Sequence, residues 1–168
     1  MTERLIIVDH VLFVVADFPA SRRLYTAALA PLGIEELNEE PNCISYGRQQ
    51  LDDFSICEGS PVTTASHVAF DAADRAQVDA FFDAALAAGA SVRGEPGVWI
   101  QYSERYYAAF VNDLHGNNVE AVFHSPWRSR TRRSAAALRS GCDGMVVRFP
   151  DISGHGSFHP SISRVGDE

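Results

Sequence analysis

At 168 residues, 46% hydrophobic and 21% charged, the chain suits one globular domain that can bury a core without metal or disulfide staples, and it is excluded from being a disordered or collagen-like polymer. Its 14 basic residues are all Arg: residues 1–125 hold 7 of them against 18 acids, residues 126–168 hold 7 against 4. So acidic a body excludes nucleic-acid binding as the main task and divides the chain into a domain, 1–126, and a basic arm, 127–168.

The first apolar run, Leu5 to Ala16, is interrupted by Asp9 and His10. It is too short and polar to span a bilayer, and no cleavage-site pattern follows. No membrane partner is expected, and a cytoplasmic location is the default. Val8–Val15 reads as a strand with Val11, Phe13 and Val15 on the greasier face and His10 on the other. Asp17 is placed to cap a helix that Leu24, Ala28 and Leu29 continue and Gly33 closes. Short strands near Glu35–Asn38, Cys43–Gly47 and Asp53–Cys57 complete a first module, 6–59. Cys43, Cys57 and Cys142 are odd in number and lack a CxxC pair, so reduced thiols are expected.

After a linker at 60–66 the pattern begins again. HVLFVVADFPASRRLYTAALA (10–30) lies over HVAFDAADRAQVDAFFDAALA (67–87) without gaps, with nine of 21 positions identical. Chance amphipathic segments share Ala and Leu, but not a leading His and an Asp seven residues on. The second module, 66–126, therefore repeats the plan: strand His67–Phe70, a helix capped by Asp74, Gly89 closing it, then strands near Ser91–Arg93, Tyr106–Asn112 and Asn118–His124, with a turn at Asp113–Gly116. The expected fold is α+β: two tandem βαβββ modules forming a cupped mixed sheet around a metal-binding cavity.

The repeat sends His10 and His67 to matching places facing that cavity. Glu120 breaks the apolar last strand, where burial without a cationic partner is costly. Two imidazoles and a carboxylate on one side of a divalent metal leave positions open for substrate or water, and such ligands discriminate poorly among Fe, Mn, Ni and Zn. His124 shares the strand face of Glu120 but lies too far along it to share the metal. Glu120 and His124 are the candidates to move a proton. Tyr102 and Tyr106 could orient a substrate oxygen, and Arg105 on the adjacent rim could fix a carboxylate or phosphonate. His115 is read as a surface residue at a hairpin tip.

At these residues the chain resembles the vicinal oxygen chelate superfamily, which includes glyoxalase I, bleomycin- and fosfomycin-resistance proteins and extradiol dioxygenases. DHVLFVVAD, SHVAFDAAD and YYAAFVNDLHGNNVEAVFH are similar to segments of its bacterial glyoxalase-like branch, including a D-x-x-G-N-x-x-E hairpin. The resemblance covers about residues 6–126. It implies that His10, His67 and Glu120 are ligands of a metal that binds vicinal oxygens of a small substrate, in a lyase, isomerase or dioxygenase. Ser55 falls where glyoxalase I-like chains carry a carboxylate and is assigned to the substrate pocket. Three ligands then look more like the fosfomycin-resistance and extradiol patterns. The rival expectation is a non-catalytic small-molecule or antibiotic-binding resistance protein.

A homodimer is expected as well. In the arm, Arg128, Arg130, Arg132 and Arg133 should meet acidic groups on the body, with Trp127, Phe149 and Phe158 as apolar anchors.

Overall fold

The computed structural model describes residues 8–126, so the docking expected for the basic arm lies outside the described residues. In chain order they form β1 (Val11–Val15), α1 (Phe18–Leu29), a 3-10 turn (Ala30–Leu32), β2 (Glu35–Glu40), β3 (Cys43–Arg48), β4 (Leu51–Glu58), β5 (His67–Asp71), α2 (Arg75–Ala87), β6 (Ser91–Val98), β7 (Tyr106–Asn112) and β8 (Asn118–His124). This is βαβββ twice. The strands form two four-stranded mixed sheets, ordered β1-β4-β3-β2 and β5-β8-β7-β6.

The repeat read from sequence is a repeat in space. Asp17 caps α1 by accepting from the Ala20 N–H at 2.9 Å, and Asp74 caps α2 by accepting from the Gln77 N–H at 2.9 Å. Each such cap contributes about 1 kcal/mol. Gly33 takes a left-handed conformation, φ 71°, that ends the first helical segment cleanly.

Both helices lie on the inner side. Phe13, Val15, Leu24, Leu29, Phe54, Phe70, Val78 and Phe81 belong to one core drawn from both modules, and Phe54 meets Phe70 edge-on at 5.3 Å. Each fully buried Leu, Val or Phe there contributes roughly 1.5–3 kcal/mol. On β1 the alternation is as expected: Phe13 and Val15 are buried and Leu12 is exposed.

Two hairpin ends tie the modules together. From module one, Arg48 Nη2 donates to the Leu32 carbonyl at 2.7 Å and to the Asp71 carbonyl of module two at 2.6 Å. From module two, buried Asp113 accepts from the Tyr25 hydroxyl at 2.7 Å, from the Asn117 side chain at 2.9 Å and from the His115 and Asn117 backbone N–H groups at 2.8 Å each. Asn117 passes the link on, donating to the Thr63 carbonyl of the linker.

Two expectations are corrected. Cys43 and Cys57 are not free thiols but a disulfide, with Cα atoms 4.1 Å apart. They are direct partners in the β3–β4 ladder, a proximity set by hairpin register that sequence spacing does not reveal. His115 is not a bare surface residue: its Nε2 accepts from the Ala16 N–H at 3.1 Å, across the two modules. Among the described residues no helix is long and apolar enough to cross a membrane.

Candidate functional site

The face of the second sheet turned away from the helices carries its own small apolar cluster. Ala108, Phe110 and Val122 form its floor, and Trp99, Tyr102 and Tyr106 pack against them. Alternation explains the set: Tyr106, Ala108 and Phe110 point one way along β7, while Ala109 and Val111 join the main core. The register pairs Glu120 with Phe110 on one side and with Ala69 on the other. Glu120 thereby enters this face from the middle of β8.

Glu120 is 1% exposed, so both its oxygens need partners. Oε1 accepts from the Tyr106 hydroxyl at 2.5 Å, and Oε2 accepts from the His67 Nε2–H at 2.8 Å. Burial first, then the Glu120 hydrogen bond, pushes the Tyr106 phenol far above its usual range, so it stays a donor at any ordinary pH. The Tyr102 hydroxyl is pushed up too, by burial and then by the Glu120 charge. His67 sits at the edge, with 45% of its side chain exposed, so the carboxylate lies beneath an imidazole that solvent can reach.

An aromatic wall surrounds the pair. Trp99 meets Phe110 edge-on at 4.6 Å, and its indole N–H donates to the Ala108 carbonyl at 3.0 Å. Tyr102 and Tyr106 lie 4.8 Å apart, His124 stands edge-on to Tyr106 at 5.0 Å, and His67 lies 6.2 Å from Phe110. A Cβ on Gly94 would fall 2.6 Å from the Trp99 ring, so this position must stay bare for the indole to lie there.

The structure thus brings together His67, Glu120, Tyr106, Tyr102 and His124. His124 is exposed at the strand end. Arg105 is exposed in the preceding loop, and its carbonyl accepts from the Ser125 N–H at 3.0 Å. Ser55 lies elsewhere, in module one, paired with Leu12 and Ser45. His10 is also apart: its side chain is 64% exposed, and Nδ1 donates to Asp9 at 3.0 Å. Among the described residues no three His, Cys, Asp or Glu side chains converge closely enough to hold a metal. The wall residue that sequence reading missed is Phe110, although its two-residue spacing from Ala108 and Tyr106 was a usable signal.

The donor chemistry of the pair fits a divalent cation. An imidazole nitrogen and a carboxylate oxygen are both common ligands of divalent metals, and Nε2 of His67 and Oε2 of Glu120 face each other across a hydrogen bond of 2.8 Å. Glu120 is a nearly fully buried carboxylate held by a phenol and an imidazole, a place where positive charge is stabilised.

No protein-family model and no curated protein sequence matches the chain. Solved structures do. A glyoxalase/bleomycin resistance protein from Albidiferax ferrireducens T118 is 30% identical over 69% of this chain and 98% of its own, with a TM-score of 0.63. The same fold recurs in a glyoxalase/bleomycin resistance protein/dioxygenase family enzyme from Burkholderia phytofirmans PsJN (16% identity, 70% and 98% covered, TM-score 0.56). It recurs again in a glyoxalase-related enzyme from Fulvimarina pelagi (17%, 71% and 89%, TM-score 0.54). With the repeat, the two βαβββ modules and a relative at this identity along nearly its whole length, the chain belongs to the glyoxalase/bleomycin resistance protein family of the vicinal oxygen chelate superfamily.

Proposed function

We propose that the protein is a metal-dependent enzyme acting on a small oxygenated molecule, as a lyase, isomerase or dioxygenase, with His67 and Glu120 as two of its ligands. The observation that carries this is Glu120, buried, with one oxygen held by Tyr106 and the other 2.8 Å from the His67 nitrogen. A bound divalent ion (Fe, Mn, Ni or Zn) supplies Lewis acidity toward vicinal substrate oxygens. The protein does the rest. Tyr106 fixes the carboxylate orientation. Trp99, Tyr102 and Phe110 offer a flat apolar wall that displaces water. His124, exposed beside Tyr106, can carry a proton between this face and solvent.

His10 completes the ligand set from a second copy of the chain. The helices of both modules share one core, which leaves the bare faces of the two sheets outward, and the repeat puts His10 on module one where His67 stands on module two. A two-fold homodimer that lays module one of one copy on module two of the other brings His10 opposite the His67–Glu120 pair, twice. The cytoplasm is the proposed compartment.

Metal analysis of protein purified without chelator tests this. Bound metal should be close to one per chain and should be lost in His67→Ala and in His10→Ala. Refolding His10→Ala together with His67→Ala should restore metal to one site of each mixed dimer, because each copy then supplies what the other lacks. Metal content unaffected by His67→Ala would favour a non-catalytic binding protein that uses the aromatic wall alone.

A further inference from the structure

Asn118 opens β8 two residues before Glu120, and alternation turns its side chain to the same bare face, since Val119 between them belongs to the main core. The residue is 9% exposed, yet its Oδ1 accepts from no donor among the described residues. A buried acceptor left unpaired has given up its hydration for nothing, so a partner is expected.

Strand register says which. Asn118 pairs with Asn112 on β7 and with His67 on β5. The amide of Asn112 is turned the other way, toward β6: its Oδ1 accepts from Arg93 at 3.1 Å, and its Nδ2 donates to Ser91 Oγ at 3.4 Å. Glu120, next along the same face, is itself an acceptor, engaged with Tyr106 and His67. That leaves the imidazole of His67 as the ring or amide beside Asn118 with a donor to offer. We infer that Asn118 is a positioning residue for His67, its Oδ1 accepting from the imidazole Nδ1–H when Nε2 is given over to a metal. This rests on the metal reading proposed above.

The metal-free structure explains why that bond is not yet made. His67 Nε2 lies 2.8 Å from a carboxylate oxygen of Glu120, so Nε2 carries the ring proton and Nδ1 the lone pair. Nδ1 and Oδ1 are then both acceptors, and two acceptors cannot bond. A metal needs the lone pair of Nε2, which requires the ring proton on Nδ1. The proton can move through solvent, because 45% of the His67 side chain is exposed, and the neutral ring gains or loses none overall. A new donor thus appears beside the unpaired acceptor. An amide fills this role without placing a second negative charge next to Glu120.

The other proposed ligand follows the same pattern. His10 Nδ1 donates to Asp9 at 3.0 Å, which leaves Nε2 for a metal. In the repeat, the residue before His67 is Ser66 rather than an acid, so module two must draw its acceptor from another strand.

The test uses the full chain with 15N-labelled histidine, metal-free and loaded with Zn(II), each ring signal being assigned by substitution. Asn118→Leu removes the acceptor and Asn118→Asp keeps it. Circular dichroism checks the fold, and Asn118→Ala replaces the Leu variant if the larger side chain does not pack. In the parent, His67 should change from the Nε2–H to the Nδ1–H tautomer on loading, with a ring proton that exchanges slowly. Asn118→Leu should lose the slow exchange and bind Zn(II) about 10- to 100-fold more weakly by calorimetry, whereas Asn118→Asp should retain both. Equal Zn(II) affinity in the parent and Asn118→Leu, equal exchange of the His67 proton in the two, or as deep a loss in Asn118→Asp would each overturn the inference and leave the metal reading standing. A parent chain that takes up no Zn(II) at His67 would overturn both.

Discussion

In module two the bare sheet face buries a carboxylate between an imidazole and a phenol, under a wall of aromatic rings. In module one the same face, reached by the same strand order and register, presents Ser55 between Leu12 and Ser45, beside a disulfide. The helix-facing residues keep their apolar character but not their size: Phe13 answers Phe70, while Ile44, Tyr46, Phe54 and Ile56 answer Ala109, Val111, Val119 and Ala121. A duplicated scaffold has kept the apolar character that makes it fold and changed the chemistry that faces outward. The pairing at His10 and His67 is the exception, an outward-facing residue kept in both copies. That is the pattern expected if both histidines serve one site.

The largest effect should come from Glu120. Glu120→Gln keeps the shape but removes the charge, and metal bound at the His67 site should weaken by about a hundredfold or more, whereas Ser55→Ala should leave it unchanged. Calorimetric titration of the metal-stripped protein with Mn(II) and Zn(II) measures both. Equal losses would mean that the two faces are functionally alike. The metal-free Glu120→Gln protein should unfold no earlier than the parent, since a buried charge has been removed and the amide can still bond to both Tyr106 and His67.

The next contrast lies in the hairpins. Asp113 accepts from four donors spread over both modules, so Asp113→Ala should lower stability by about 3 kcal/mol in urea unfolding. The matching turn of module one, Gln49–Gln50, is exposed with φ 54° and 67°. Gln50→Gly there should raise stability by about 0.5 kcal/mol, because only glycine takes that conformation freely. A destabilisation of under 1 kcal/mol for Asp113→Ala would deny the hairpin its role in joining the modules.

Tyr106→Phe comes third. Glu120 Oε1 loses its donor while the ring stays packed on Tyr102, so metal affinity or turnover should fall about 10- to 100-fold. Unchanged affinity and turnover would reduce Tyr106 to wall packing.

How much of this was legible in the sequence follows from what repeats. Periodicity, the paired Asp caps and the leading histidines are local signals, and they placed β7 and β8 to the residue. Glu120 was legible because a charge in an apolar strand needs a reason. What escaped was set by register between strands distant in sequence. The Cys43–Cys57 pairing depends on where the β3–β4 ladder starts, and the Asp113–Tyr25 bond spans 88 positions. His10 shows the opposite limit: the repeat matches it to His67, but among the described residues its ring bonds to its neighbour Asp9 and not to the His67 site.

The smallest predicted effect concerns how each helix is tied to its sheet. In module two the tie is aromatic: Arg75 lies over the Tyr107 ring at 4.7 Å, and the Tyr107 hydroxyl donates to Asp79 at 2.8 Å. In module one it is ionic: Arg22 of α1 reaches Glu36 at 2.6 Å and Glu39 at 2.7 Å on β2. The Arg22 hydrogen bond, ahead of all other influences, holds Glu36 below the usual carboxylate range, and it does the same for Glu39. Carboxyls held low in the folded state stabilise it above their unfolded pKa, and that contribution is lost as pH falls through their folded values. Arg22 stays charged throughout. Arg22→Ala should therefore lower the urea midpoint only slightly at pH 7, because the network is partly exposed and screened. The two proteins should converge as pH drops below about 4, where the unfolded-state carboxyls protonate and the folded ones follow. Urea midpoints at pH 7, 5 and 3 check this, and a difference that persists undiminished at pH 3 would show that Arg22 acts through packing of its stem rather than through charge.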